Sequence, residues 1–400
     1  MSSITLSKRV QALKPSPILM LAAKAGEMKA AGHNVISLSI GEPDWDTYDN
    51  IKEVAIGAIR VGMTKYTPPA GIPELRKAVA EQASRDIGIP FEPSQVLVTT
   101  GAKYVLFSAL QSLIDPGDEV ILAAPFWASY TSMVELAEGK PRIVVCDEKV
   151  NFKLTPELLR SAITPKTKVL ILNSPSNPTG KVYSREELAA LANVLREYPQ
   201  IAVISDDIYN RLVFNGKLAP HLLQVAPDLR DRVVVMNGAS KSYAMTGWRL
   251  GWGLASKPII DAMISYASQS VSCATAISQH AGVEAIRNSD PHVEATVEKL
   301  RERRDALVAE LNKINGVKVA EPEGAFYLWV NVSNFLGKTY KGQLLKSTTE
   351  LANALLEDQL VAVVPGIEFG LDGYIRLSYA LEKERGKEAA ARMKTFFEGL

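Results

Sequence analysis

Residues 237–252, NGASKSYAMTGWRLGW, set Lys241 and Arg249 eight positions apart among glycine, alanine, serine and aromatic residues, and the nearest acids in sequence are Asp231 and Asp261. A lysine buried without a counter-ion has a lowered pKa, and its neutral amine attacks a carbonyl to form a Schiff base. Arg249 keeps its proton, so it calls for an anion from elsewhere, and a phosphate suits its planar fork. Two solvated loop cations would fit poorly beside so many small and aromatic neighbours. Three further polar clusters invite the same question. TTGAK (99–103) reads as a strand turning into a helix, where free backbone N–H groups favour an anion and Gly101 and Ala102 let it come close. In NSPSNPTG (173–180), Asn177 is held extended by Pro178 and can aim its amide at a ligand. SDDIY (205–209) ends an apolar run on Asp206, a carboxylate that needs a cation or several donors if it is buried, with Tyr209 three residues on. A plain turn, or an Asp serving as helix N-cap, would explain each cluster alone.

These clusters sit where elements change. QVLVTT (95–100), EVILAA (119–124), KVLILN (168–173), IAVISD (201–206) and VVVMNG (233–238) have strand length and stay apolar throughout, the pattern of strands covered on both faces. Between the first two, AKYVLFSALQSLI (102–114) brings Val105, Leu106, Ala109, Leu110 and Leu113 onto one helical face before the turn DPGD. Such βαβ alternation predicts an α/β sheet, and ligands of such sheets bind beyond the carboxyl ends of the strands. The last third changes character. PHVEATVEKLRERRDALVAELNKI (291–314) predicts a long helix, followed by short strands in AFYLWVN, VAVVP and YIRLSY, so a smaller α+β domain is expected from 291 to 400. The charge run EKLRERR is read as a solvated helix face.

Composition bounds the function. The 400 residues are 47% hydrophobic, enough for a large core and about two domains. With 45 Lys and Arg against 44 Asp and Glu, no net field recruits nucleic acid or an anionic membrane. Cys146 and Cys273 are too few for a disulfide framework and lack CxxC spacing, so both are expected to be buried thiols in a reduced compartment. The apolar run from Ile18 to Ala23 is too short for a secretory core or a membrane span, and a cytoplasmic location is expected. His33, His221, His280 and His292 show no ligand spacing, and no metal site is expected.

An amine for an aldehyde, a phosphate cradle, a carboxylate and two donors for a phenolic oxygen are together what pyridoxal 5'-phosphate requires. KPSPILMLAAKA, IGEPD, KYTPPAGIPELR, NSPSNPTG, SDDIY, SKSYAMTGWRLG and YIRLSYA, in that order over nearly the whole chain, resemble the class I aminotransferases of fold type I, within them the bacterial aspartate aminotransferase branch. That resemblance implies a large domain (49–290) with a mostly parallel seven-stranded sheet flanked by helices, the smaller domain (291–400), and an N-terminal segment (1–48) packing with the latter. It implies Lys241 as the Schiff-base lysine and proton carrier, Asp206 as partner of the pyridine nitrogen, Tyr209 and Asn177 as partners of the phenolic oxygen, and Trp127 as the aromatic stacked on the ring. Gly101, Ala102, Lys103, Ser240 and Arg249 would line the cofactor and its phosphate, with Tyr66 reaching in from a second subunit of a homodimer. Arg376 and Gly41 would meet the substrate α-carboxylate, and Lys103 its distal carboxylate. Lys14 and Ser16 would belong to a segment covering the substrate.

The expected reaction is amino-group transfer between L-aspartate and 2-oxoglutarate by a ping-pong route. Ile18 stands where relatives often carry a small hydroxyl residue, and Pro17 alters the same stretch. An aromatic or prephenate-type substrate is therefore the alternative, and a lyase using the same cofactor a more distant one. A nicotinamide dehydrogenase is disfavoured because no GxGxxG follows an early strand.

Overall fold

A computed structural model describes residues 4–13 and 17–400. Seven strands form the main sheet: β1 (Val96–Thr99), β2 (Glu119–Ala124), β3 (Lys140–Val145), β4 (Thr167–Asn173), β5 (Ala202–Asp206), β6 (Val233–Gly238) and β7 (Gly251–Leu254). Their spatial order is β1-β7-β6-β5-β4-β2-β3. All run parallel except β7, which is antiparallel to both its neighbours. The five apolar runs each became a strand. β1 is buried at every residue, β6 at all but Asn237, and the helix Ala102–Leu113 seals one face with Val105, Leu106, Ala109 and Leu110.

Two strands were not legible in the sequence. β3 is the edge opposite β1, and with Ile143 and Val145 exposed its sequence KPRIVV lacks the continuous apolar run of a buried strand. β7 is GWGL, and glycine is normally poor strand material. Here packing demands it. A Cβ on Gly251 would lie 2.2 Å from the Ala102 backbone nitrogen, and one on Gly253 would lie 2.7 Å from Val105 Cγ1. The helix after β1 rests directly on the backbone of β7, and side chains there would push it away.

A second, antiparallel sheet follows the helix Asp290–Leu311 in sequence and has the order β10-β11-β9-β8, with β8 (Lys318–Ala320), β9 (Tyr327–Asn331), β10 (Val364–Pro365) and β11 (Tyr374–Ser378). The N-terminal residues Ile36 and Ser37 pair in parallel with Val361 and Ala362, and Ser378 N donates to Leu38 O at 2.7 Å. Residues 36–38 therefore meet residues 361–362 and Ser378 beside the second sheet.

The run EKLRERR corrects the expectation of a purely solvated face. Arg303 pairs with Asp44 at 2.7 Å, Arg301 Nη2 donates to Phe214 O at 2.7 Å, and the Arg304 guanidinium lies 4.3 Å from the Phe214 ring centre. Three arginines of one helix thus fasten it to earlier segments, their stems covering apolar surface. Cys146 is buried as expected, whereas Cys273 is partly exposed, because it follows the end of the helix Lys257–Ser270 in a turn. None of the described helices is long and apolar enough to cross a membrane.

Candidate active site

Strand register aligns the polar ends. Asn173, last in β4, lies opposite Asp206, last in β5, and Asp206 lies opposite Met236 of β6. Asn173 Nδ2 donates to Asp206 O at 2.9 Å, while its Oδ1 accepts from Asn177 N at 2.8 Å. One side chain thereby ties the loop carrying Asn177 to the strand carrying Asp206. Beyond these ends opens a cavity of about 410 Å³, a size typical of small-molecule sites. Gly41, Ala102, Lys103, Trp127, Asn177, Asp206, Tyr209, Ser240, Lys241, Arg249 and Arg376 all line it.

The remaining expected residues lie elsewhere. Gly101 sits behind the wall, where φ of +86° and a Cβ position only 2.5 Å from Arg249 Nη2 require glycine. Tyr66 is 92% exposed and does not line the cavity of its own chain. Lys14 and Ser16 fall outside the described residues.

The cavity's charges are unbalanced. Lys103, Lys241, Arg249 and Arg376 face it against two acids, Asp206 and Glu42, and among the described residues none of the four cations forms a salt bridge. Arg376, on β11, is only 4% exposed. Its Nη2 donates to Ser39 O at 2.5 Å and its Nη1 to Asn177 Oδ1 at 3.1 Å, but Nε has no partner. Burial draws its pKa below the usual guanidinium value. A buried charge without a counter-ion is costly, so the position is built to receive an anion. Arg249 occupies a left-handed backbone conformation at φ +51°, as does Ala244 in the same segment. Such strain costs of order 1–3 kcal/mol per residue and concentrates at ligand sites.

Lys241 Nζ donates to Gly41 O at 2.5 Å. Burial lowers its pKa to about 8, with the Glu42 carboxylate pulling the other way. The amine therefore keeps a far larger neutral fraction near physiological pH than an ordinary lysine, as Schiff-base chemistry needs. Asp206, 3% exposed, is pushed by burial up to about 7, against the lowering effect of two hydrogen bonds. One comes from Tyr130 Oη at 2.6 Å and the other from Ile208 N at 3.2 Å. Lys103 Nζ lies 4.8 Å over the Trp127 ring, and burial together with Arg249 lowers its pKa. Trp127 in turn meets Tyr130 edge to face at 5.5 Å.

Three contributors escaped the sequence reading. Tyr130 follows Trp127 by one helical turn in PFWASY, a spacing that could have flagged it. Tyr327 reads as core material in AFYLWVN, yet its hydroxyl lies 2.7 Å from that of Tyr209 and its ring 4.5 Å from the Arg376 guanidinium carbon. Glu42 stands in IGEPD, already quoted for Gly41, and accepts from Thr246 Oγ1 at 2.9 Å.

An α/β sheet with a lysine, a carboxylate and two unpaired arginines around a cavity at its carboxyl ends defines a class of proteins that act on anionic carbonyl or amine compounds. Comparison with known proteins gives the family. Residues 33–393 match the model of aminotransferase class I and II, and the chain belongs to that family. It is 46% identical over 396 residues to the aspartate/prephenate aminotransferase of Cereibacter sphaeroides, covering 99% of each chain. Among solved structures, the aspartate aminotransferase of Rhizobium meliloti superposes with a TM-score of 0.96 at 41% identity over 100% of both chains. That of Thermus thermophilus with maleate gives 0.92 at 41% identity, over 98% of this chain and 99% of the other.

Proposed function

We propose that the cavity holds pyridoxal 5'-phosphate and that the chain transfers the amino group of L-aspartate to 2-oxoglutarate, giving oxaloacetate and L-glutamate. The observation that carries this reading is the set of three unpaired cations, Lys103, Arg249 and Arg376, around one buried amine of lowered pKa at Lys241. The residues fit the cofactor: an amine for its aldehyde at Lys241, the helix start at Ala102 beside Ser240 and Arg249 for its phosphate, and a buried carboxylate at Asp206 for its ring nitrogen. When bound, the cofactor supplies an electron sink for the charge left at the substrate's Cα.

The chain's own groups do the rest. Arg376 grips the α-carboxylate with its fork, and Gly41, whose carbonyl holds Lys241 Nζ, lies against the same end. Lys241 takes the Cα proton as general base, a role suited to an amine with a pKa of about 8. Asp206 holds a proton at the ring nitrogen. The ionised form this needs is favoured by the hydrogen bonds from Tyr130 and Ile208. Tyr209 and Asn177 serve the phenolic oxygen, and Trp127 covers the ring face and excludes water. Ala102, Ser240 and Arg249 take the phosphate, and Lys103 takes a distal carboxylate.

Tyr66, exposed in its own chain, is assigned to the phosphate of a second subunit, and Ile59, Val61 and Met63 beside it are exposed apolar residues consistent with a homodimer. We also assign residues 49–290 to a large domain and 291–400 to a small one. The pairing of Ile36–Ser37 with Val361–Ala362 supports attaching the N-terminal segment to the latter.

A panel of amino donors with 2-oxoglutarate and oxaloacetate tests the reading. Aspartate and glutamate should be the best donors, and borohydride should fix the cofactor on Lys241. An adduct on another lysine, or ammonia release in place of transfer, would overturn it. Prephenate is the second acceptor to assay, because the Cereibacter sphaeroides relative is named for both substrates.

A further inference from the structure

Tyr209 and Tyr327 share one short contact, Oη to Oη at 2.7 Å, and both side chains are buried. Each hydroxyl has one proton, so the contact uses one and leaves the other free. Among the described residues the Tyr327 hydroxyl has no hydrogen-bond partner but Tyr209, and a Cβ on Gly41 would approach it to 2.6 Å, so the backbone of Gly41 closes off its other side. Either hydroxyl could donate in this contact, and with Tyr327 as the donor its proton goes to the Tyr209 oxygen. That leaves the Tyr209 proton pointing into the cavity. The Tyr327 ring also lies under the Arg376 guanidinium, 4.5 Å from its central carbon, and a cation over a phenol ring makes its hydroxyl a stronger donor.

We propose that Tyr327 is a positioning residue that acts through Tyr209: by donating to the Tyr209 oxygen it turns the Tyr209 proton toward the cofactor's phenolic oxygen, and it couples that hydrogen bond to the occupancy of Arg376. A carboxylate arriving at Arg376 neutralises the cation above the ring and weakens the Tyr327 donor. Binding of the substrate's acid group is thereby sensed at the other end of the cofactor. The inference rests on the cofactor assignment made above.

The test is the pH titration of the visible absorbance of the cofactor-loaded protein, in the wild type, Tyr327→Phe, Tyr209→Phe and the double variant. Tyr327→Phe keeps the ring over Arg376 and removes only the hydroxyl. A donor to the phenolic oxygen favours its proton-poor form, so weakening that donor should raise the titration midpoint by about half to one pH unit, the size of one modest hydrogen bond. In the Tyr209→Phe background the same substitution should shift the midpoint by less than a third of that. Maleate, an unreactive dicarboxylate, should move the wild-type midpoint more than that of Tyr327→Phe. Cofactor dissociation measured by equilibrium dialysis should weaken no more than about threefold in Tyr327→Phe, since the phosphate contacts remain.

An unchanged midpoint in Tyr327→Phe, or an equal shift in both backgrounds, would overturn the proposal. If that variant does not fold, 3,5-difluorotyrosine at position 327, a stronger donor of the same shape, should lower the midpoint, and no movement there would likewise overturn it. A protein that binds the cofactor without any visible band, or without a borohydride-fixed adduct on Lys241, would instead refute the cofactor assignment itself.

Discussion

Asp206 is placed where its ionised form is expensive without a ligand, and the cost can be measured. Its carboxyl is raised from 3.8 to about 7, chiefly by burial. At about 1.4 kcal/mol per unit, a shift of roughly three units means that ionising Asp206 in the cofactor-free fold costs about 4 kcal/mol more than in the unfolded chain. The sign follows from proton counts. Between pH 4 and 7 the folded chain binds the proton and the unfolded chain does not, so this contribution is fully present below 3.8 and is lost as pH rises through 7. Asp206→Asn has nothing to ionise and should remove the effect. Urea unfolding of cofactor-free protein at pH 5 and pH 7.5 should show the wild type losing about 2 to 3 kcal/mol more than the variant over that interval. Loading the cofactor should reverse the ranking, since the ring nitrogen then supplies the proton that a carboxylate can hold and an amide cannot. Turnover of the variant should fall by at least about 3 kcal/mol in transition-state terms. Parallel pH profiles for the two cofactor-free proteins would refute the premise that Asp206 is held near neutrality by its surroundings.

Other residues of the site give shorter tests. Tyr130→Phe removes the 2.6 Å donor to Asp206 while keeping the ring against Trp127, and should lower kcat by about tenfold with little change in the KM for aspartate, read by steady-state kinetics. Gly101→Ala forces a Cβ toward Arg249 at a backbone φ of +86°, and should weaken cofactor retention in dialysis at least about tenfold. Lys103→Ala should shrink the preference for aspartate over an uncharged amino acid, measured as the ratio of kcat/KM values. An unchanged ratio would remove Lys103 from the distal pocket.

The central strands of the sheet and the cavity-lining residues at their ends were readable because their signals are local. A central strand is an uninterrupted apolar run, and Lys241, Asp206, Asn177 and Gly101 each sit where such a run or its turn ends. The two strands that escaped were set by long-range packing. β7 is glycine-rich because the helix beginning at Ala102 lies on it, and β3 is an edge whose outer residues face solvent. Tyr130 and Tyr327 escaped for a related reason. An aromatic in an apolar stretch reads as core, and both are indeed buried, but the hydroxyl that matters finds its partner 76 or 118 residues away. The arginines of EKLRERR were misread because a charge run looks the same whether it meets water or the far side of a groove.

The pairing of Ile36–Ser37 with Val361–Ala362, together with the Arg376 bond to Ser39 O, also bears on how the protein is born. Chains fold as they are made, the earlier units first. Lys241, Arg249, Asp206 and Gly101 have all left the ribosome by the time Leu254 emerges, whereas the strand that carries Arg376 comes more than a hundred residues later. Ser39 therefore waits, through most of synthesis, for a partner not yet translated. A nascent chain therefore carries Lys241, Asp206 and Arg249 of the cavity well before the Arg376 guanidinium exists to donate to Ser39 O.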